Sequence, residues 1–116
     1  MRTGTWQEMA ILNSRSQHLA ALSLHTEKKS RGWVAVCHGF TGSKEGGGKA
    51  MTMAEALAAQ TGLSFVLFDF AGNGQSQGRF EDLTLTHQVE DLSAVIDWCL
   101  NQEPGPVVTM GRSFGG

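Results

Sequence analysis

At 116 residues, with a formal net charge of −2 and 41% hydrophobic against 17% charged residues, the sequence suits one domain with a modest buried core. Lys and Arg are scattered along the chain, which excludes the basic stripe of a nucleic-acid-binding protein. No apolar run is long enough to cross a bilayer, and the opening MRTGTWQEMA lacks a signal-peptide core, so neither a membrane partner nor secretion is expected.

The first elements are short. TWQEMAILN (5–13) and HLAALSLHT (18–26) are partly apolar runs flanking SRSQ and predict two strands of a hairpin. WVAVCH (33–38) is continuously apolar and ends at Gly39, as a parallel strand buried on both faces does. The loop GFTGSKEGGG leads into KAMTMAEALAAQTG (49–62), whose Ala, Met and Leu residues favour a helix. Thr52 and Glu55 have capping-box spacing there, with a first turn that begins earlier as the alternative, and Gly62 is placed to end the helix in a left-handed conformation.

LSFVLFDF (63–70) predicts another buried strand, stopped by AGNGQSQG. From about Thr84, Leu85, Val89, Leu92, Ile96, Cys99 and Leu100 recur at three- and four-residue spacing, an amphipathic helix broken by PGP at 104–106. PVVTMG (106–111) is the last strand. The order β-β-β-α-β-α-β, with helices returning between the later strands, predicts an α/β fold: an antiparallel hairpin followed by parallel strands with crossover helices.

Cys37 and Cys99 lie in apolar segments outside any CxxC pair and read as buried thiols of a reducing compartment, so a cytoplasmic location is expected. Two glycine loops imitate cofactor motifs and fail. Gly48-Lys49 lacks a glycine at position 43, which is Ser43, and Ala50 stands where a phosphate-binding loop needs a hydroxyl. Gly72 and Gly74 lack the third dinucleotide glycine at Gln77, with Gly78 one residue late. No metal or organic cofactor is expected.

GRSFG (111–115) directly follows the last apolar strand, the setting of a nucleophile elbow, where the serine occupies a strained strand-to-helix turn that only small flanking residues fit. Together with His38-Gly39-Phe40 and Asp69-Phe-Ala-Gly72-Asn-Gly74-Gln-Ser76, each at a strand end and in this order, the chain resembles the α/β-hydrolase family over nearly its whole length. HGFTGSKE and DFAGNGQSQGRFEDLTLTHQVEDL are similar to the cinnamoyl (feruloyl) esterase-like group, and serine aminopeptidase-like members share the outline.

The resemblance implies Ser113 as nucleophile and the backbone N–H groups of Phe40 and Phe114 as the oxyanion hole. His38 is expected to brace the oxyanion segment, because the family's catalytic histidine follows the nucleophile, and Asp69 is expected to organise its own loop. His18, His25 and His87 read as surface residues.

The resemblance further implies that residues 1–116 are a partial α/β-hydrolase domain, truncated after the elbow, with the triad acid and base in an absent C-terminal half. The parent is expected to hydrolyse a small-molecule ester, or a short peptide, through an acyl-serine intermediate, and the 116-residue chain alone to be inactive. A reading from another class stays open: a non-catalytic product that binds a partner, such as a complementing C-terminal half, through an exposed sheet edge.

Overall fold

The structure is a computed structural model and describes residues 6–25, 30–38, 44–45, 48–102 and 105–111. The strands are β1 (Trp6–Leu12), β2 (His18–Leu24), β3 (Trp33–Cys37), β4 (Ser64–Phe68) and β5 (Val107–Gly111). The helices are α1 (Lys49–Thr61), between β3 and β4, and α2 (Leu85–Gln102), between β4 and β5, the latter preceded by a short 3-10 turn at Phe80–Asp82. Every element read from the sequence is present, with ends shifted by one or two residues.

The sheet runs β1-β2-β4-β3-β5. β1 and β2 form an antiparallel hairpin, β2 is antiparallel to β4, and β3 lies parallel to both β4 and β5. At the hairpin turn the Asn13 side-chain oxygen accepts hydrogen bonds from the N–H groups of Arg15 and Gln17, so the asparagine closes the loop that SRSQ opens.

The chain moves from β3 one way to β4, then back past β3 to β5. Crossovers of one hand in opposite directions put their helices on opposite faces. Side chains alternate accordingly. Trp33, Ala35, Val66 and Phe68 pack with Val95 and Cys99 of α2, whereas Val34, Val36, Phe65 and Leu67 pack with Ala50, Ala54 and Ala58 of α1. The three alanines, spaced by four, line the face of α1 that lies on the sheet, and their small side chains permit a close approach.

Two sequence expectations are corrected here. Thr52 and Glu55 do not form a capping box. The helix already begins after Gly48, so the Thr52 hydroxyl lies inside it and donates back to the Gly48 carbonyl, while the Glu55 carboxylate receives the Trp6 indole N–H at 2.8 Å. The buried stripe of α2 is also rotated from the expected one. It consists of Asp91, Val95 and Cys99, whereas Leu85, Val89 and Leu100 are exposed. Asp91 takes a place in the stripe because its carboxylate finds partners inside, described below. The Gly62 expectation holds: it ends α1 at φ 76°, its N–H bonded to the Ala58 carbonyl.

Candidate active site

Register decides what the carboxyl ends of the strands bring together. Cys37, the last residue of β3, pairs with Phe68 at the end of β4 and with Gly111 at the end of β5. The chain therefore leaves all three strands at one level, with neighbouring strands about 4.8 Å apart. The direction of the crossovers reverses at β3, which makes this the switch point where open α/β sheets bind ligands. Ser113, Phe40 and Phe114, the nucleophile and oxyanion residues expected from the sequence, lie outside the described residues, so what the structure supplies is the scaffold from which they start.

His38 directly follows β3. It is nearly buried, its Nε2 accepts the Phe70 N–H at 3.1 Å, and its ring meets Phe70 edge-on with centroids 5.1 Å apart. An imidazole whose Nε2 lone pair is engaged in this way is not placed to take a serine proton. The histidine ties the end of β3 to the start of the loop after β4, as the bracing reading expects.

Asp69 follows β4 and is fully buried. Its Oδ1 accepts the Lys44 main-chain N–H at 2.7 Å, and its Oδ2 accepts the Gln75 N–H and the Lys44 ammonium, each at 3.0 Å. The Ser76 hydroxyl donates to the Asp69 carbonyl and accepts the Ala20 N–H, which fastens the same loop to β2. Asp69 thus organises the loop as expected, and it also reaches a second loop.

Lys44 is the residue that sequence reasoning passed over. A lysine in the polar stretch GSKEGGG reads as solvated, yet only 3% of it is exposed. Its ammonium contacts Asp69, Gln75 Oε1 at 2.9 Å and Glu45 at 3.1 Å. Burial by itself would lower its pKa. The hydrogen bonds and negative charges of Asp69 and Glu45 outweigh that and raise it, so the residue is charged. Removing one member of such a buried pair typically costs about 3–5 kcal/mol, because the other is stranded.

Asp91 was missed as well, although its place four residues before Val95 and eight before Cys99 was a usable signal. Its Oδ1 accepts from Asn13 Nδ2 at 2.8 Å and Arg15 at 2.9 Å, and its Oδ2 accepts the Ala71 N–H at 2.9 Å. Arg15 is also paired with Glu90. One carboxylate therefore joins α2, the hairpin turn and the loop that Asp69 organises.

The remaining histidines stand apart from this arrangement. His18 is exposed, His87 Nδ1 contacts the Asp82 carbonyl at the start of α2, and His25 is half-buried edge-on against Trp33. The Cys37 thiol is pushed up to about 11 and that of Cys99 to about 12, both chiefly by burial. Among the described residues no group of three or more His, Cys, Asp or Glu side chains could hold a metal ion, and no helix is long and apolar enough to cross a membrane. A cleft of about 560 Å³ lies between β1 and α2, lined by Leu12, Val89 and Trp98, but β2 and β4 separate β1 from β3, so it is remote from the switch point.

The family described as X-Pro dipeptidyl-peptidase (S15 family) matches residues 5–116. The chain belongs to this family. The S15 family is part of the α/β-hydrolase clan, so the resemblance carried by the three strand-end motifs holds at superfamily level. This S15-family chain shares its fold with an esterase from Pyrococcus furiosus (TM-score 0.78, 21% identity), covering 93% of this chain and 40% of that one. It likewise resembles a Butyrivibrio proteoclasticus protein with ferulic acid bound (0.79, 24%, covering 90% and 42%). A third similar structure is the α/β hydrolase GrgF from Penicillium sp. sh18 (0.82, 15%, covering 95% and 38%). The S15-family chain thus spans about 40% of the length of these structures. No curated protein matches it significantly.

Proposed function

We propose that the chain carries the nucleophile and oxyanion hole of a serine hydrolase acting on carboxylic esters. Ser113 Oγ attacks the acyl carbonyl, and the N–H groups of Phe40 and Phe114 receive the negative charge that develops on its oxygen. The alkoxide leaves with a proton, and water then releases the acid from the acyl-serine. Both proton transfers need a base oriented by an acid, which we assign to residues outside this sequence. On this reading the 116 residues alone turn over esters barely, retaining at most oxyanion and binding effects. The cytoplasmic setting expected from the two reduced cysteines belongs to the same proposal.

The observation that carries the reading is the register that sets Cys37 opposite both Phe68 and Gly111. It starts the HGF segment and the GRSFG segment from adjacent strand ends, as a shared oxyanion site requires. Membership of the S15 family favours a second reading, hydrolysis of short peptides, with X-Pro dipeptide derivatives as the substrates to try.

A fluorophosphonate probe tests the nucleophile on the longest polypeptide the reading frame encodes. Labelling is expected, and Ser113→Ala should abolish it; equal labelling of that variant removes the assignment. Initial rates on p-nitrophenyl butyrate and on an X-Pro p-nitroanilide then separate the two substrate readings by their kcat/KM ratio.

A further inference from the structure

β1 forms the edge of the sheet opposite to β5, and the direction of its main-chain groups follows from its partner. On β2, the Ala20 N–H goes to the Ser76 hydroxyl and the Ala20 carbonyl receives the Asp69 N–H. His18 likewise gives its N–H to Gln77 Oε1 and receives the Gln77 N–H on its carbonyl. Both residues thus turn their main-chain groups away from β1. Directly opposed residues of an antiparallel ladder either exchange both bonds or both face outward. Ala10 and Leu12, opposite Ala20 and His18, therefore present their N–H and C=O groups on the free side of β1, where no described residue bonds to them.

Exposed edges are ordinarily guarded by a short strand, a bulge, Lys or Pro. β1 has none of these: it is seven residues long, pairs in unbroken register and is wholly apolar from Met9 to Leu12. The cleft of about 560 Å³ between β1 and α2 opens along this edge, with Ala10 and Leu12 on one wall and Val89 and Trp98 on the other. Ser93 and Ala94, between those two on α2, are small and leave it depth. Leu12 and Val89 are exposed there, so apolar surface and open hydrogen-bonding groups coincide. An incoming strand satisfies both at once, with main-chain bonds to β1 and alternate side chains in the cleft.

Charge selects the kind of segment. The cleft is lined by Glu90 and Asp97 and by no Lys or Arg. Glu90 is paired with Arg15, whereas Asp97 has no ion pair among the described residues. α2 as a whole carries three acidic residues and no Lys or Arg, so a second copy of the chain would set like charges against one another. A segment with Lys or Arg beside Asp97 gains where that copy loses.

We propose that the free edge of β1 and the cleft beside α2 are a docking site for an extended, basic and apolar segment of another protein. The segment adds to the sheet as a further strand, with apolar side chains on Val89 and Trp98 and a Lys or Arg at Asp97. The site is remote from the switch point and shares no residue with the proposed catalytic arrangement, so it stands independently of that function.

The probe is a fluorescein-labelled peptide, Thr-Val-Thr-Val-Thr-Lys-Thr, titrated by anisotropy against the longest polypeptide the reading frame encodes. A Kd below about 100 μM is expected. Replacing the lysine by glutamate, or N-methylating alternate residues so that they cannot bond to β1, should each weaken binding at least about tenfold. In the protein, Val89→Lys should weaken it about tenfold and Asp97→Lys should shift the preference to the glutamate peptide; both are surface changes that leave the fold intact. Ala10→Pro removes an outward N–H at an edge position, where proline is tolerated, and should abolish binding. Thermal melting checks each variant, and if Ala10→Pro does not fold, Val89→Lys and Asp97→Lys carry the test.

No binding at about 1 mM peptide overturns the proposal. Equal affinity for the lysine and glutamate peptides does so too, as does binding untouched by Val89→Lys and Asp97→Lys. A dimer in sedimentation equilibrium that Ala10→Pro dissociates would give the edge to a second copy and overturn it as well.

Discussion

Gly74 adopts φ +50°, and the carboxyl atoms of Asp69 would lie 2.4–2.6 Å from any Cβ placed on it. Those atoms cannot yield, because Lys44 and the Gln75 N–H hold them on both oxygens. The glycine in this motif therefore makes room for a carboxylate of the chain itself rather than for a phosphate, which explains why the dinucleotide pattern fails while its glycines remain. Gly74→Ala is expected to destabilise the fold by more than about 2 kcal/mol, read from the urea midpoint. A variant as stable as the parent would show that Asp69 is not confined as described. The same residue-scale logic separates Asp69 and Asp91 from catalytic acids: each carboxylate is already engaged by three or more donors from this chain.

α2 shows what an amphipathic pattern leaves open. Its apolar residues are more numerous than one stripe can bury, so the periodicity alone allows two rotations of the helix. Packing chooses the one with Val95 and Cys99 against the sheet, Asp91 in line with them and Thr84 accepting the His87 N–H at the start. Val95→Ala should cost about 2 kcal/mol in a thermal or urea melt, since a fully buried side chain leaves a cavity. Leu85→Lys and Val89→Lys, at positions 77% and 57% exposed, should each stay within about 0.5 kcal/mol of the parent. Costs in the reverse order would place the helix in its other rotation.

Across the whole molecule, the groups with raised pKa values act in one direction on stability. Cys37 and Cys99 move from 9.0 to about 11 and about 12, and Lys44 moves above its usual 10.5. In the unfolded chain the thiols lose their protons first, while the folded chain keeps them, so above pH 9 the unfolded state binds fewer protons and gains relative stability. Lys44 adds to this from about pH 10.5 upward, as its pairing with Asp69 is lost when the folded-state ammonium deprotonates. Stability from these groups is thus complete below pH 9 and declines through pH 11–12. The urea midpoint should fall steadily from pH 9 to pH 11, and substituting both cysteines by alanine should flatten the first part of that fall. Burial raises both thiols, so iodoacetamide at pH 8 should alkylate the two cysteines more slowly in the folded chain than after denaturant is added.

Local chemistry made much of this protein readable in one dimension. Continuous apolar runs gave β3, β4 and β5, Gly62 gave the end of α1, and three glycine-bearing motifs at strand ends gave the superfamily, because each depends on residues close together in the chain. The family resemblance implied a structural role for His38, and the chemistry of an aspartate in a turn implied one for Asp69. Only the folded chain decided that β3 lies between β4 and β5, which way α2 turns, and that Lys44 is buried 25 residues from the carboxylate that holds it. The physical reason is common to all three: the energy of burying a stripe or pairing a charge depends on which distant segment arrives beside it, and spacing along the chain carries no record of that neighbour.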